Sequence, residues 1–64
     1  MFEIGNKVRF RSWSNQPWHE GVWIIVEITD TFQIYDDVYH TYLICNEETS
    51  QYQYEVNWQQ IELI

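Results

Sequence analysis

Few side chains in this sequence have the chemistry of a catalytic or metal centre. His19, His40 and Cys45 are its only imidazole and thiol groups. Cys45 lies in an apolar segment, where cysteine usually behaves as a small hydrophobic residue, and nothing in the sequence places a histidine beside it. The Cys/His spacing of a zinc site is also missing. The sequence therefore predicts neither a Cys–His nucleophile pair nor a metal site, and we expect no cofactor.

Two acidic pairs, Asp36-Asp37 and Glu47-Glu48, are the remaining candidates for catalytic or calcium-binding carboxylates. Both lie in predicted turns, and neither has the ligand spacing of a calcium loop. Adjacent residues of an extended chain point to opposite faces, so neither pair can serve as a general acid and base. We interpret them as solvated turn charge and expect a protein that is not an enzyme.

The charge of the chain is strongly acidic, with ten acidic and three basic residues and a net charge of −7. Such a chain is repelled by nucleic-acid phosphates and by anionic lipid, so neither is expected as a partner. Lys7, Arg9 and Arg11 form a basic stripe on one face of one predicted strand. We expect the stripe to pair with Glu27 or Glu55 on neighbouring strands. The alternative is that Arg9 and Arg11 belong to an interface with an acidic partner.

The sequence also bears on the cellular compartment. A lone cysteine cannot form an intramolecular disulfide, and residues 1–11 contain no apolar run of signal-peptide length. The longest apolar run, 22–26, is too short to span a bilayer. These features predict a cytoplasmic protein.

Alternating and β-branched segments predict an all-β protein. Strand patterns cover 7–11, 22–28, 39–45, 51–56 and 61–64, with a further short strand over 32–35. The segment 29–31 is predicted to end the second strand, and 57–60 has room for one 3₁₀ turn. In the first strand Val8 and Phe10 should face inward. In the fourth strand the inward residues should be Tyr52, Tyr54 and Val56. No segment of ten or more residues has helical periodicity, and residues 1–64 are expected to form one domain.

The second strand is apolar on both faces. Its two faces consist of Val22, Ile24, Val26 and Ile28 on one side, and Trp23 and Ile25 on the other. A bent strand buries both faces in turn. Otherwise Trp23 and Ile25 form an exposed apolar patch, and such patches mark interfaces. A homodimer is one outcome, so the choice between monomer and homodimer stays open.

The order of these elements resembles the SH3-like barrels of Tudor, KOW and related small modules. The resemblance rests on the Gly-x-x-Val-x opening at 5–9, the glycine that starts a long strand at 21–24, and the late strand, turn and last strand over 54–63. Residues 5–10 are also similar to the start of small photosynthetic accessory subunits with this fold. The resemblance implies a small five-stranded SH3-like barrel with one 3₁₀ turn before the last strand. Because barrels of this type have many roles, it implies no particular activity.

Loop aromatics are the strongest candidates for a binding site. In SH3-like barrels these loops gather at one side, where aromatic faces can stack on a peptide or hold a cation. The candidate partner-binding residues are Trp13, Trp18, Tyr35, Tyr39 and Trp58. The alternative for Trp18 and Trp58 is that they close the ends of the core.

Three functions fit these features. The leading one is a non-catalytic protein-interaction module, an accessory subunit or regulator that binds a protein partner through the loop aromatics. The second is an acidic decoy that occupies a nucleic-acid-binding site on another protein. The third is direct nucleic-acid binding through Lys7, Arg9 and Arg11, with bases stacked on Trp13 or Trp18. The net charge argues against the third.

Overall fold

The computed structural model describes residues 2–64, which fold into a single antiparallel sheet of five strands. The strands are β1 (Lys7–Phe10), β2 (Trp23–Ile34), β3 (Asp37–Asn46), β4 (Tyr52–Asn57) and β5 (Ile61–Leu63). One 3₁₀ turn, Trp58–Gln60, separates β4 from β5. The all-β prediction and the 3₁₀ turn before the last strand are confirmed. None of the described residues form a helix that is long and apolar enough to cross a membrane.

The sheet is strongly curled but not closed. Its order is β4-β3-β2-β1-β5, so β4 and β5 are the two edges and do not pair with each other. In a flat sheet, four strand spacings of about 4.8 Å each would separate these edges. The 3₁₀ turn that joins them advances only about 2 Å per residue. The sheet must therefore curl until the end of β4 and the start of β5 lie close together.

The 3₁₀ turn is held by a reciprocal pair of side-chain contacts at its start. The Asn57 side-chain oxygen accepts a hydrogen bond from the Gln59 backbone N–H (2.8 Å), and Gln60 Oε1 accepts one from the Asn57 N–H (3.0 Å). These two bonds satisfy backbone donors that the turn itself leaves unpaired. They fix the direction in which the chain leaves β4, which sets the position of Trp58.

The concave face of the sheet holds the core. Its buried residues are Val8, Phe10, Trp23, Ile25, Tyr42, Ile44, Val56 and Ile61. The inward prediction for Val8 and Phe10 is confirmed. Large aromatics fill much of this small core, and the rings of Phe10 and Trp23 meet edge to face at 5.2 Å.

The predicted end of the second strand at 29–31 is wrong. β2 continues to Ile34 and pairs with β3 as far as the contact between Ile34 and Asp37. Two register shifts interrupt this ladder, one between Ile25 and Glu27 and one after Ile28. A bulge inserts an extra residue and bends a strand without ending it. The result is a long β2–β3 hairpin.

The alternative that Trp23 and Ile25 form an exposed apolar patch on β2 is wrong. Trp23 is only 3% exposed and Ile25 is fully buried, so Trp23 cannot contribute to a surface interface. Val26 and Ile28 are exposed instead. The expectation that the bent strand buries both faces in turn is therefore also wrong, because only the face of Trp23 and Ile25 lies in the core.

In β4 only one of the three predicted inward residues is buried. Val56 is in the core, whereas Tyr54 is 70% exposed and Tyr52 is also exposed. The pairing shifts between Tyr42–Val56 and the next pair along, so β4 carries an extra residue there. Glu55 has a positive φ of 52° at this bulge. The extra residue reverses the alternation and turns both tyrosines outward.

Candidate functional site

Three aromatic rings meet beside the β2–β3 hairpin. Tyr39 and Trp58 have ring centroids 4.3 Å apart, and Phe32 lies 6.0 Å from Tyr39 and 5.8 Å from Trp58. We call these three residues the aromatic stack. Aromatic rings in contact attract one another. The stack therefore joins the hairpin to the turn that precedes β5.

The pairing of the strands explains how these rings meet. Phe32 and Tyr39 are directly opposite each other in the β2–β3 ladder. Asn57 is opposite Thr41, so the chain leaves β4 two residues along β3 from Tyr39. Trp58, the next residue, is placed by the capped turn against the Tyr39 ring.

A cleft of about 420 Å³ borders the stack on one side. We call it the acidic cleft. Its lining residues are Thr29, Asp30, Phe32, Thr41, Glu55, Asn57 and Trp58. The hydroxyl oxygens of Thr29 and Thr41 are hydrogen bonded to each other at 2.8 Å. Asp30 and Glu55 are its two charged residues, and no lysine or arginine lines it.

A smaller, mostly apolar cleft of about 270 Å³ also borders Trp58. We call it the apolar cleft; it is lined by Phe2, Val38, Tyr39, His40, Tyr42 and Trp58. His40 Nδ1 lies 2.9 Å from the Thr31 hydroxyl, which fixes the imidazole in the hairpin. Burial raises the pKa of the Tyr42 phenol, so this group stays neutral at physiological pH.

The two clefts have one lining residue in common. Trp58 is the residue that borders both. Its indole is therefore a wall shared by one charged and one apolar cavity.

The side chains of the basic stripe all make contacts within the chain. Lys7 Nζ lies 3.1 Å from a Glu47 carboxylate oxygen, and Arg9 donates to Glu62 at 2.8 Å. Arg11 donates from Nε to a backbone carbonyl at 3.1 Å. Both guanidinium carbons lie 4.2 Å from the centre of the Trp18 ring, a cation–π geometry.

The prediction that the basic stripe pairs with Glu27 or Glu55 is therefore wrong. β1 pairs with β5 along its length, which places Arg9 directly opposite Glu62. Its pairing with β2 covers only Lys7 and Val8, so Glu27 lies beyond its reach.

The predicted partner-binding aromatics do not form one cluster of touching rings. Among the described residues, ring-to-ring contacts join Tyr39 and Trp58 to Phe32 but not to the other three candidates. Trp18 packs on Arg9 and Arg11, and Trp13 is 62% exposed in the loop before β2. Tyr35 stands at the tip of the hairpin and is 93% exposed.

The catalytic candidates from the sequence lie in ordinary structural settings. His19 stacks on Phe10 at 5.0 Å, and its Nε2 lies 3.0 Å from the Ser12 hydroxyl. The Cys45 thiol is half-buried and contacts the carbonyl of the next residue. Within residues 2–64, no group of three His, Cys, Asp or Glu side chains comes together as a metal site.

Sequence reasoning missed Phe32, Asp30 and Glu55 as site residues. A signal for Phe32 exists: with a two-residue turn at 35–36, the hairpin register places it opposite Tyr39. The two carboxylates carry no comparable signal, because Asp30 follows two register shifts in β2 and Glu55 lies at a register shift in β4.

Comparison of this chain with protein-family models, with curated proteins and with solved structures finds no match.

Proposed function

We propose that this chain is a non-catalytic protein-interaction module that binds a protein partner through the aromatic stack. The observation that carries the proposal is the contact of Tyr39, Trp58 and Phe32 between two open clefts. Trp and Tyr are the residue types that dominate binding hot spots, because they supply a large contact area from few rotatable bonds. A surface on which they are already packed loses little further entropy when a partner binds.

The tip of the hairpin supports the same proposal. Tyr35 has a positive φ of 55°, a backbone conformation that costs a non-glycine residue about 1–2 kcal/mol. Its side chain is almost fully exposed, so packing within the chain does not repay this cost. Strained backbone that carries an exposed aromatic side chain is a feature of binding sites. We therefore propose that Tyr35 extends the contact surface beyond the stack.

We further propose that the five-stranded sheet belongs to the SH3-like barrel fold. Three features support it: the long bent β2, the 3₁₀ turn before a short last strand, and the curl that brings β4 and β5 together at one end.

The test is affinity capture from a nuclease-treated extract of cells that produce this protein. Wild type is compared with Trp58→Ala, and Trp13→Ala serves as the matched control, because it removes an exposed tryptophan outside the stack. We expect a protein that wild type and Trp13→Ala retain and Trp58→Ala loses. Unchanged retention by Trp58→Ala would contradict the proposal.

The same experiment addresses the two alternatives. Material that disappears after nuclease treatment and at moderate salt would indicate nucleic-acid binding. This function has less support, because Lys7, Arg9 and Arg11 already contact Glu47, Glu62 and Trp18. Capture of a nucleic-acid-binding protein by both tryptophan variants alike would favour the acidic decoy.

A further inference from the structure

The carboxylates of Asp30 and Glu55 line the acidic cleft together with two rings of the aromatic stack. We propose that the acidic cleft receives a lysine or arginine side chain of the protein partner, while an apolar side chain of the same segment enters the apolar cleft. The inference rests on the proposed function and specifies the partner as a segment that carries a basic and an apolar residue.

The charge distribution is the first argument. All three lysine and arginine side chains of this protein contact other groups of the chain, namely Glu47, Glu62, Trp18 and the Gln59 carbonyl. None of them lines the acidic cleft, and within residues 2–64 neither Asp30 nor Glu55 forms an ion pair. With a net charge of −7, the surrounding field also favours a cation at this place.

The polar groups of the cleft are the second argument. Thr29 and Thr41 bond to each other, and Asn57 Oδ1 already accepts from the turn. Within residues 2–64, the Glu55 carboxylate accepts no hydrogen bond, and Asp30 accepts one, from the Thr31 N–H at 2.9 Å. The acceptors that remain for a ligand are therefore mainly carboxylate oxygens, which prefer charged N–H donors.

The aromatic wall is the third argument. Phe32 and Trp58 line the same cleft as the two carboxylates. A guanidinium or ammonium group is attracted to the face of an aromatic ring, and tryptophan is the best of these partners. The aliphatic part of a lysine or arginine side chain can also pack against such rings while its charged end meets the carboxylates.

The apolar cleft specifies the second residue of the partner segment, which is apolar. Phe2, Val38 and Tyr42 give it a hydrophobic lining, and it shares the Trp58 wall with the acidic cleft. A partner segment that crosses the Trp58 ring reaches both cavities. Two side chains of different character would then fix its position, which gives specificity that neither cleft gives alone.

The test is selection from a random dodecapeptide display library on the immobilised full chain. Wild type should enrich peptides that contain a lysine or arginine together with an apolar residue. The variant Asp30→Asn/Glu55→Gln should bind these peptides roughly three- to tenfold more weakly, as expected for the loss of two partly exposed charge pairs. The matched control Glu3→Gln/Glu48→Gln makes the same change in net charge on exposed residues away from the cleft, and it should change affinity less than about twofold.

Each outcome has a distinct meaning. Selected peptides that require Trp58 but lack a basic residue would overturn this inference and leave the proposed function standing. Equal weakening by the control pair would also overturn it, since the effect would then come from net charge alone. If Trp58→Ala retains every selected peptide, the proposed function falls as well. Thermal melts of each variant establish that the fold is intact.

Discussion

The rings of Tyr39 and Trp58 lie 4.3 Å apart at an interplanar angle of 30°, although one belongs to the hairpin and the other to the turn before β5. Pairing between β3 and β4 ends at Thr41 and Asn57, so β4 does not cover the outer part of β3. Trp58 packs on that part of the strand instead. Together with the contact between Phe32 and Trp58, this ring pair connects the hairpin to the turn before β5.

This contact should be measurable as a coupling energy. In a double-mutant cycle of Tyr39→Ala and Trp58→Ala, we expect an interaction term of about 0.5–1.5 kcal/mol in the free energy of unfolding, measured in urea. Trp13→Ala is the control, and its effect should stay within about 0.5 kcal/mol because the residue is exposed. Strictly additive effects of the two stack variants would show that the rings do not stabilise each other.

At the hairpin tip, stability and binding should change in opposite directions. Tyr35→Gly relieves the positive φ and loses almost no buried area, so the free energy of unfolding should rise by up to about 1 kcal/mol. Partner affinity should fall in the same variant. Asp36→Gly is the matched control: its backbone has no positive φ, so glycine there should only destabilise. A less stable Tyr35→Gly would mean that the tyrosine packs on its own chain.

The sequence predicts those parts of the fold that depend on short, uninterrupted patterns. The strict alternation around Val8 and Phe10 places both residues in the core, as observed. The 3₁₀ turn is predicted because 57–60 separates two strand patterns by too few residues for a longer connection. The sequence also predicts Tyr39 and Trp58 as partner-binding residues, since Trp and Tyr are enriched in binding hot spots.

The errors arise where bulges occur. In β4 the extra residue at Glu55 reverses the faces, so Tyr52 and Tyr54 point outward although their spacing to Val56 predicts the opposite. Glycine often marks such a position, but here glutamate adopts the positive φ, and the sequence gives no sign of it. Asp30 follows a similar shift in β2. The acidic cleft therefore could not be assembled from the sequence, because both of its carboxylates depend on a change of register.

The two glycines offer a comparison that separates backbone strain from steric clash. Gly5 and Gly21 have φ of 92° and 90°, so alanine at either position should cost about 1–2 kcal/mol. A Cβ at Gly5 meets nothing within 4 Å, whereas one at Gly21 would lie 2.9 Å from Asn46 Nδ2. Asn46 is buried, and its Oδ1 accepts from two backbone N–H groups, of Glu48 and Thr49, so it cannot easily move.

Gly21→Ala should therefore destabilise more than Gly5→Ala, by about 1 kcal/mol or more in urea unfolding. Equal losses in the two variants would show that Asn46 yields to the added methyl group without cost.

Burial of Tyr42 predicts a loss of stability at alkaline pH. Its pKa in the folded protein is raised above the ordinary value of 10.0, so the folded state holds the phenol proton more tightly than the unfolded state does. The stabilisation is fully present below pH 10.0 and is lost as the pH rises toward the folded pKa, by up to about 1.4 kcal/mol per pH unit. Tyr42→Phe should flatten this decline in urea unfolding measured between neutral pH and pH 11. Tyr54→Phe removes an exposed phenol and should keep the wild-type decline. The same alkaline slope in Tyr42→Phe and wild type would assign the loss to other groups.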